Sequence, residues 1–198
     1  MEHFGQFPRI MWCPDTFGHP DTLPQILKMA GIDRYFHMRI GLGVGSHEDT
    51  GFSLITESLQ TPAYWWVGQD GSRVLTLNGI YNRDLDTRGI LRVSSRFMDF
   101  ECEKAMLVYG VGDHGGGPTR RDIHWVHEIQ DYPTVPTIRF STTDAYCSLV
   151  EGKNFPFPER HGEINFVFDG CYTTHADTKW GNRKSEQALQ QAEALALM

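Results

Sequence analysis

The sequence predicts an α/β fold built around a parallel sheet. Short apolar runs of strand length alternate with segments of helical period along most of the chain, the pattern of strand–helix units rather than of a sandwich or a bundle. Three of the apolar runs lead into loops rich in Gly and polar residues, as strands do when they deliver a site to one edge of a sheet. No internal repeat or low-complexity tract interrupts the alternation.

The elements follow in order. "RIMWC" reads as a strand end. "DTLPQILKMAGI" reads as a helix, with Asp21 or Thr22 as its cap, Pro24 in its first turn and Gly31 at its exit. "RYFHMR" reads as a second strand, and residues 41–62 as a long Gly-rich loop. "AYWWV" and "RVLTL" flank "GQDGS", a hairpin signal. "AMLVYG", "TIRFST" and "EINFVFDG" read as further strands. "TRRDIHWVHEIQ" and "TDAYCSLVEG" read as helices, as does the stretch from about Thr174 to the last residue, with Ala188, Ala192 and Leu195 on one stripe.

At 198 residues the chain is one domain or a little more. Hydrophobic residues make up 40% and charged residues 22%, ordinary for a globular protein. Asp plus Glu number 25 against 18 Lys plus Arg, a formal charge of -7. That balance argues against a nucleic-acid partner and against a polybasic membrane contact. No apolar run reaches the roughly 18 to 20 residues that span a bilayer, and "MEHFGQFPR" has no basic region followed by an apolar one. Cys13, Cys102, Cys147 and Cys171 lie far apart with no CxxC spacing, so reduced thiols in a cytoplasmic protein are expected.

The chemistry-bearing groups cluster in three post-strand loops. Asp15 follows "RIMWC", Asp113 follows "AMLVYG" in "GVGDHGGGPT", and His175 follows "EINFVF" in "DGCYTTH". Two carboxylates from separate loops are what retaining glycoside hydrolysis needs, at a separation of roughly 5 to 5.5 Å. Each Asp is equally an ordinary cap or turn residue. "GVGDHGGGP" is no phosphate loop, because no GKS or GKT follows, and His114 reads as a turn residue. Asp15 and His175 are an oxygen–imidazole pair that suits zinc, but a catalytic zinc takes three or more protein ligands. His124 and His127 stand at metal-pair spacing on a helix with no matching acid, and are read as structural. His19, His37, His47 and His161 read as surface or hydrogen-bonded residues. Trp65 and Trp66 are adjacent on a strand and so face opposite ways; each reads as core packing or as an aromatic face for a sugar.

Four stretches taken together resemble a known family. "WCPDTFGHPDTLPQILKMAGI", "YWWVGQDGSRVL", "YGVGDHGGGPTRRD" and "GCYTTHADTKWGNRKSE" resemble the α-mannosidases of glycoside hydrolase family 38, of the bacterial type, from about residue 10 to the C-terminus. The resemblance implies a retaining zinc enzyme acting on terminal α-D-mannosyl residues of oligosaccharides. It implies that Asp15 is the nucleophile and a zinc ligand, that Asp113 is the general acid/base, and that His175 is a further zinc ligand. Phe17, Trp65, Trp66 and Tyr172 are the expected substrate contacts, with Phe17 and His19 walling or supporting the Asp15 carboxylate. The implied fold is a partial (β/α) barrel of the seven-stranded type with parallel strands over 1–172, followed by the start of a helical-bundle domain over 173–198.

The family also supplies a His-x-Asp zinc pair from its first strand, and the fourteen residues before Asp15 contain none. A complete barrel of this kind takes about 250 residues. The expectation is therefore a central segment of the catalytic region with an incomplete sphere for one zinc ion, and a companion chain as a source of the missing ligands. Two other readings stay open: a non-catalytic carbohydrate-binding or scaffold fragment, and a sugar-deacetylase-like metal hydrolase.

Overall fold

The structure is a computed structural model that describes residues 5, 7–38, 61–79, 81, 85–98, 102–111, 115–153, 155–164 and 175–197. It forms two compact units, Met1–Asn165 and Phe166–Met198.

The first unit is organised on a five-stranded sheet. Its strands are β1 (Ile10–Cys13), β2 (Arg34–His37), β3 (Ala63–Val67), β4 (Arg73–Asn78) and β5 (Glu159–His161), in the order β1-β2-β4-β3-β5. β1, β2 and β4 are mutually parallel, with Cys13 opposite His37 and His37 opposite Asn78. Here the expectation of a parallel sheet needs correction. β3 runs antiparallel to β4, and β5 is parallel to β3, so the sheet is mixed. The cause is the "GQDGS" turn, which sends the chain straight back. Gly68 N–H donates to the Ser72 carbonyl at 2.9 Å, Asp70 accepts from the Ser72 N–H and hydroxyl, and Gly71 sits at φ 83, a conformation that favours Gly.

The pleat sorts the sheet into two faces. Register puts Trp12, Arg34, Phe36, Ala63, Trp65, Leu75 and Leu77 on one of them. Trp12 stacks on Phe36 with ring centroids 3.9 Å apart. This face carries the main core, in which Phe36, Leu75 and Leu77 pack with Phe97, Tyr146, Cys147 and Val150. Truncating Phe36 to Ala there would cost about 3–5 kcal/mol. The opposite face carries Cys13, Tyr35, His37, Tyr64, Trp66 and Thr76, a layer of aromatics with polar tips.

The helices of this unit are α1 (Leu23–Met29), α2 (Thr87–Met98), α3 (Arg120–Ile129) and α4 (Thr143–Gly152). α1 starts with Pro24 as expected, and Gly31 after it has φ 76. Neither expected cap closes it: Thr22 makes no side-chain cap bond, and Asp21 accepts instead from Gln69 of the hairpin turn. α3 opens with a reciprocal capping box between Thr119 and Asp122. α4 is capped by the Thr142 hydroxyl on Ala145 N–H.

Two expected strands are absent from the described residues. "AMLVYG" lies against the core through Met106 and Val108 without a ladder partner. "TIRFST" is largely exposed, and its Phe140 packs on Tyr109 and His127 instead of entering the sheet. Of "EINFVFDG", the described part is Glu163 and Ile164, and Ile164 forms an antiparallel bridge with His19. The expected loop 41–62 falls outside the described residues except for Thr61 and Pro62, and so does the expected boundary at 172/173. The second unit contains α5 (Ala176–Ala196), a helix with no buried residue.

Candidate active site

β1 ends at Cys13, and Asp15 follows two residues on, at the edge where β2 and β4 also end. The carboxylate-bearing residue is exposed. Its loop is held at the start by Met38 N–H, which donates to the Pro14 carbonyl at 3.2 Å. Further on, His19 N–H donates to the Ile164 carbonyl at 2.8 Å and Ile164 N–H returns a bond to the His19 carbonyl at 2.9 Å. Phe17, between these anchors, is half-buried.

Under this loop lies the polar-tipped aromatic layer. His19 is 1% exposed, and its Nδ1 shares a 2.6 Å hydrogen bond with the Tyr35 hydroxyl. His37 Nε2 shares one of 2.7 Å with the Tyr64 hydroxyl. The two imidazoles lie 5.3 Å apart, centroid to centroid. Burial pushes both phenols far above the ordinary tyrosine range, so both hydroxyls stay protonated. Cys13 shares this face of the sheet with Tyr35. The Arg160 guanidinium lies over the Tyr64 ring at 5.4 Å, and burial lowers its pKa.

The tryptophans divide as adjacent strand residues must. Trp66 is 0% exposed; it packs against Tyr35 and donates its indole N–H to the Gly162 carbonyl at 3.0 Å. Trp65 is half-buried, with Arg73 4.8 Å above its ring. Trp66 is thus part of the core in this structure. Its neighbours Tyr35, His37 and Tyr64, with His19 above them, form the polar layer that sequence reasoning missed. The available signal was the two-residue spacing of Tyr35 with His37 and of Tyr64 with Trp66, which puts aromatic polar tips on one face.

Asp113 and Tyr172 lie outside the described residues. The ends of the Asp113 loop are described: Val111 N–H donates to the Gly116 carbonyl at 3.1 Å, and Gly110 has φ 152. His175 is exposed and stands before α5 in a left-handed conformation, φ 57 and ψ 54. Among the described residues no group of three His, Cys, Asp or Glu side chains is placed to hold a metal. Asp15 and His175 are exposed oxygen and imidazole donors of the kind zinc takes, one in each unit.

The model of the glycosyl hydrolases family 38 N-terminal domain matches residues 1–171. This chain belongs to glycosyl hydrolase family 38. Relatives include alpha-mannosidase G of Dictyostelium discoideum, 32% identical over 98% of this chain and 17% of that protein. Alpha-mannosidase 2C1 of Homo sapiens is 27% identical over 99% of this chain and 18% of that protein. Among solved structures, an alpha-mannosidase from Enterococcus faecalis V583 shares the fold, with a TM-score of 0.54 and 21% identity over 82% of this chain and 18% of that chain. This family 38 chain therefore spans less than a fifth of the relatives it matches.

Proposed function

We propose that this chain carries the two reacting carboxylates of a retaining α-mannosidase that removes terminal α-D-mannosyl residues from oligosaccharides. The observation that carries the reading is the position of Asp15. It is an exposed carboxylate just past the end of β1, at the edge where three parallel strands finish, within a family 38 match that covers it.

In this reading the Asp15 carboxylate attacks the anomeric carbon as the glycosidic bond breaks, and Asp113 gives its proton to the departing oxygen. Asp113, now a carboxylate, takes a proton from water. That water attacks the same carbon and releases Asp15, and two inversions leave the configuration unchanged. Asp15 and His175 are this chain's donors to one zinc ion, whose other ligands lie beyond the described residues or on a companion chain. When bound, such an ion polarises sugar hydroxyls and stabilises developing charge. Phe17, Trp65 and Tyr172 are the side chains assigned to the sugar; Trp66 is buried and packs in the core. The mixed sheet is read as part of a seven-stranded barrel, α5 as the first helix of a bundle, and the setting as the cytoplasm.

The test is covalent trapping. Incubation with zinc and a fluorinated mannosyl fluoride that hydrolyses slowly should add one mannosyl unit to Asp15, read by peptide mass spectrometry. Asp15→Asn should lose both the label and hydrolysis of an aryl α-mannoside while keeping mannoside binding. A label on another residue, or hydrolysis with inverted configuration, rejects the reading. Full hydrolysis by Asp15→Asn rejects it as well.

A further inference from the structure

β1 is an open edge of the sheet. Among the described residues it has one neighbour, β2. Arg34 N–H donates to the Arg9 carbonyl at 3.1 Å. By the alternation of a parallel ladder, Arg9, Met11 and Cys13 therefore aim their peptide groups at β2, and Ile10 and Trp12 aim theirs outward. Neither Ile10 nor Trp12 makes a further backbone bond among the described residues. Exposed edges are normally blunted by charge or by proline. The opposite edge follows that rule, since β5 is "ERH". β1 is "IMWC", with Pro8 and Pro14 outside it and Trp12 43% exposed.

We propose that this edge pairs with β1 of a second copy of the chain, antiparallel about a two-fold axis at Met11. The edge is complementary to itself in that register. Ile10 of each copy exchanges both bonds with the partner's Trp12, so every outward group of both strands is met. Residues facing each other across an antiparallel pair share a side of the sheet. Each exposed Trp12, already stacked on its own Phe36, thus gains the partner's half-buried Ile10 beside it. Arg9 lies opposite the partner's Cys13 and one diagonal step from the partner's Asp15, an exposed carboxylate within reach of a long side chain. Arg9 gives Nη2 to Asp33, and its side chain is 49% exposed with further donors to offer. The cation of each copy thus meets the acid of the other. Pro8 and Pro14 lack the N–H that would prolong the ladder, so the pairing closes as a dimer and does not propagate.

Sedimentation and cysteine cross-linking of the intact chain test this. The mass should double as concentration rises, and Trp12→Lys should weaken the dimer about tenfold or more. Arg9→Glu and Asp15→Lys should each weaken it about tenfold, because each homodimer then sets like charges together. Mixed in equal amounts, these two variants should pair as well as the parent does, because both contacts are then opposite in sign. Met11→Cys should link two copies under mild oxidation, since the residues at the axis form a non-hydrogen-bonded pair with Cα atoms about 4.5 Å apart. Trp12→Cys should not link them. A parent chain that stays monomeric at its highest soluble concentration overturns the proposal, as do masses that climb past two copies. A dimer indifferent to Trp12→Lys overturns it too. So does failure of Arg9→Glu and Asp15→Lys to pair when mixed, each having the parental circular dichroism.

Discussion

Arg34 Nη2 donates to Glu151 Oε2 at 2.7 Å, joining the first residue of β2 to the last turn of α4. The arginine is 1% exposed. It also donates to the Ser148 hydroxyl and the Asp144 carbonyl, each at 3.1 Å, and pairs with the Asp144 carboxylate. Burying a guanidinium is costly unless its donors are met; here one helix meets Nη1 and Nη2 from three residues, while Nε has no hydrogen-bond partner among the described residues. Arg34→Ala should destabilise the chain by about 3 kcal/mol. Arg34→Lys should recover only part of that, since an ammonium cannot reach three acceptors in a plane. Urea midpoints measured at constant m-value check both.

Cys147 is buried beside that arginine, and desolvation pushes its thiol up to about 12 from 9.0. Burial also raises Cys102. A thiol whose pKa is raised by folding keeps its proton better in the folded chain. Its stabilising contribution is therefore whole below pH 9 and is lost as pH rises toward about 12. Iodoacetamide at pH 8 should leave Cys102 and Cys147 unmodified until urea unfolds the chain. Peptide mapping after alkylation reads the outcome, and fast labelling of Cys147 in the folded protein would contradict it.

At the start of α3, Thr119 N–H and hydroxyl both donate to Asp122 Oδ2, at 3.0 and 2.7 Å. These bonds hold the Asp122 carboxyl below its usual range. A lowered pKa adds stability above the unfolded value, near pH 4, and loses it as pH falls through the folded one. Asp122→Ala should cost about 1 kcal/mol at pH 7, and the gap between variant and parent should close in acid. Thermal melts at pH 7 and pH 3 test the sign.

Gly116 faces Val111 across the base of the Asp113 loop. A Cβ on Gly116 would come within 2.8 Å of Val111 Cγ2, closer than two carbons can pack. Gly116→Ala should therefore shift the loop and lower aryl α-mannosidase activity about tenfold or more, while the melting temperature moves little. Adding Val111→Ala removes the clashing methyls and should restore most of the rate.

Much of the architecture was readable because local signals were strong. α1 announced itself through Pro24 and Gly31, α3 through the helical pattern of "TRRDIHWVHEIQ", and the hairpin through "GQDGS". α2 was missed although Ile90, Val93 and Phe97 share a face and Asp86 accepts from Gly89 N–H at 2.5 Å. Gly89 and the two serines inside it dilute the helical signal. "AMLVYG" and "TIRFST" misled because a short apolar run looks alike as strand or as packed coil. β5 is three residues, "ERH", with no apolar alternation to see. Asp15 was legible from the strand-to-helix context. The hydrogen bond between His19 and Tyr35 was not, since it joins positions whose spacing carries no local period.

The reversal of β3 has a consequence for how selectivity can diverge. Because β3 runs against β2, Met38 and Thr61 bracket residues 39–60 at one and the same rim, beside Asp15. Lengthening or shortening that bracketed stretch leaves the ladder between β2 and β4 untouched. Evolution can thus vary the chain length at that rim without disturbing the strand pairing beneath it.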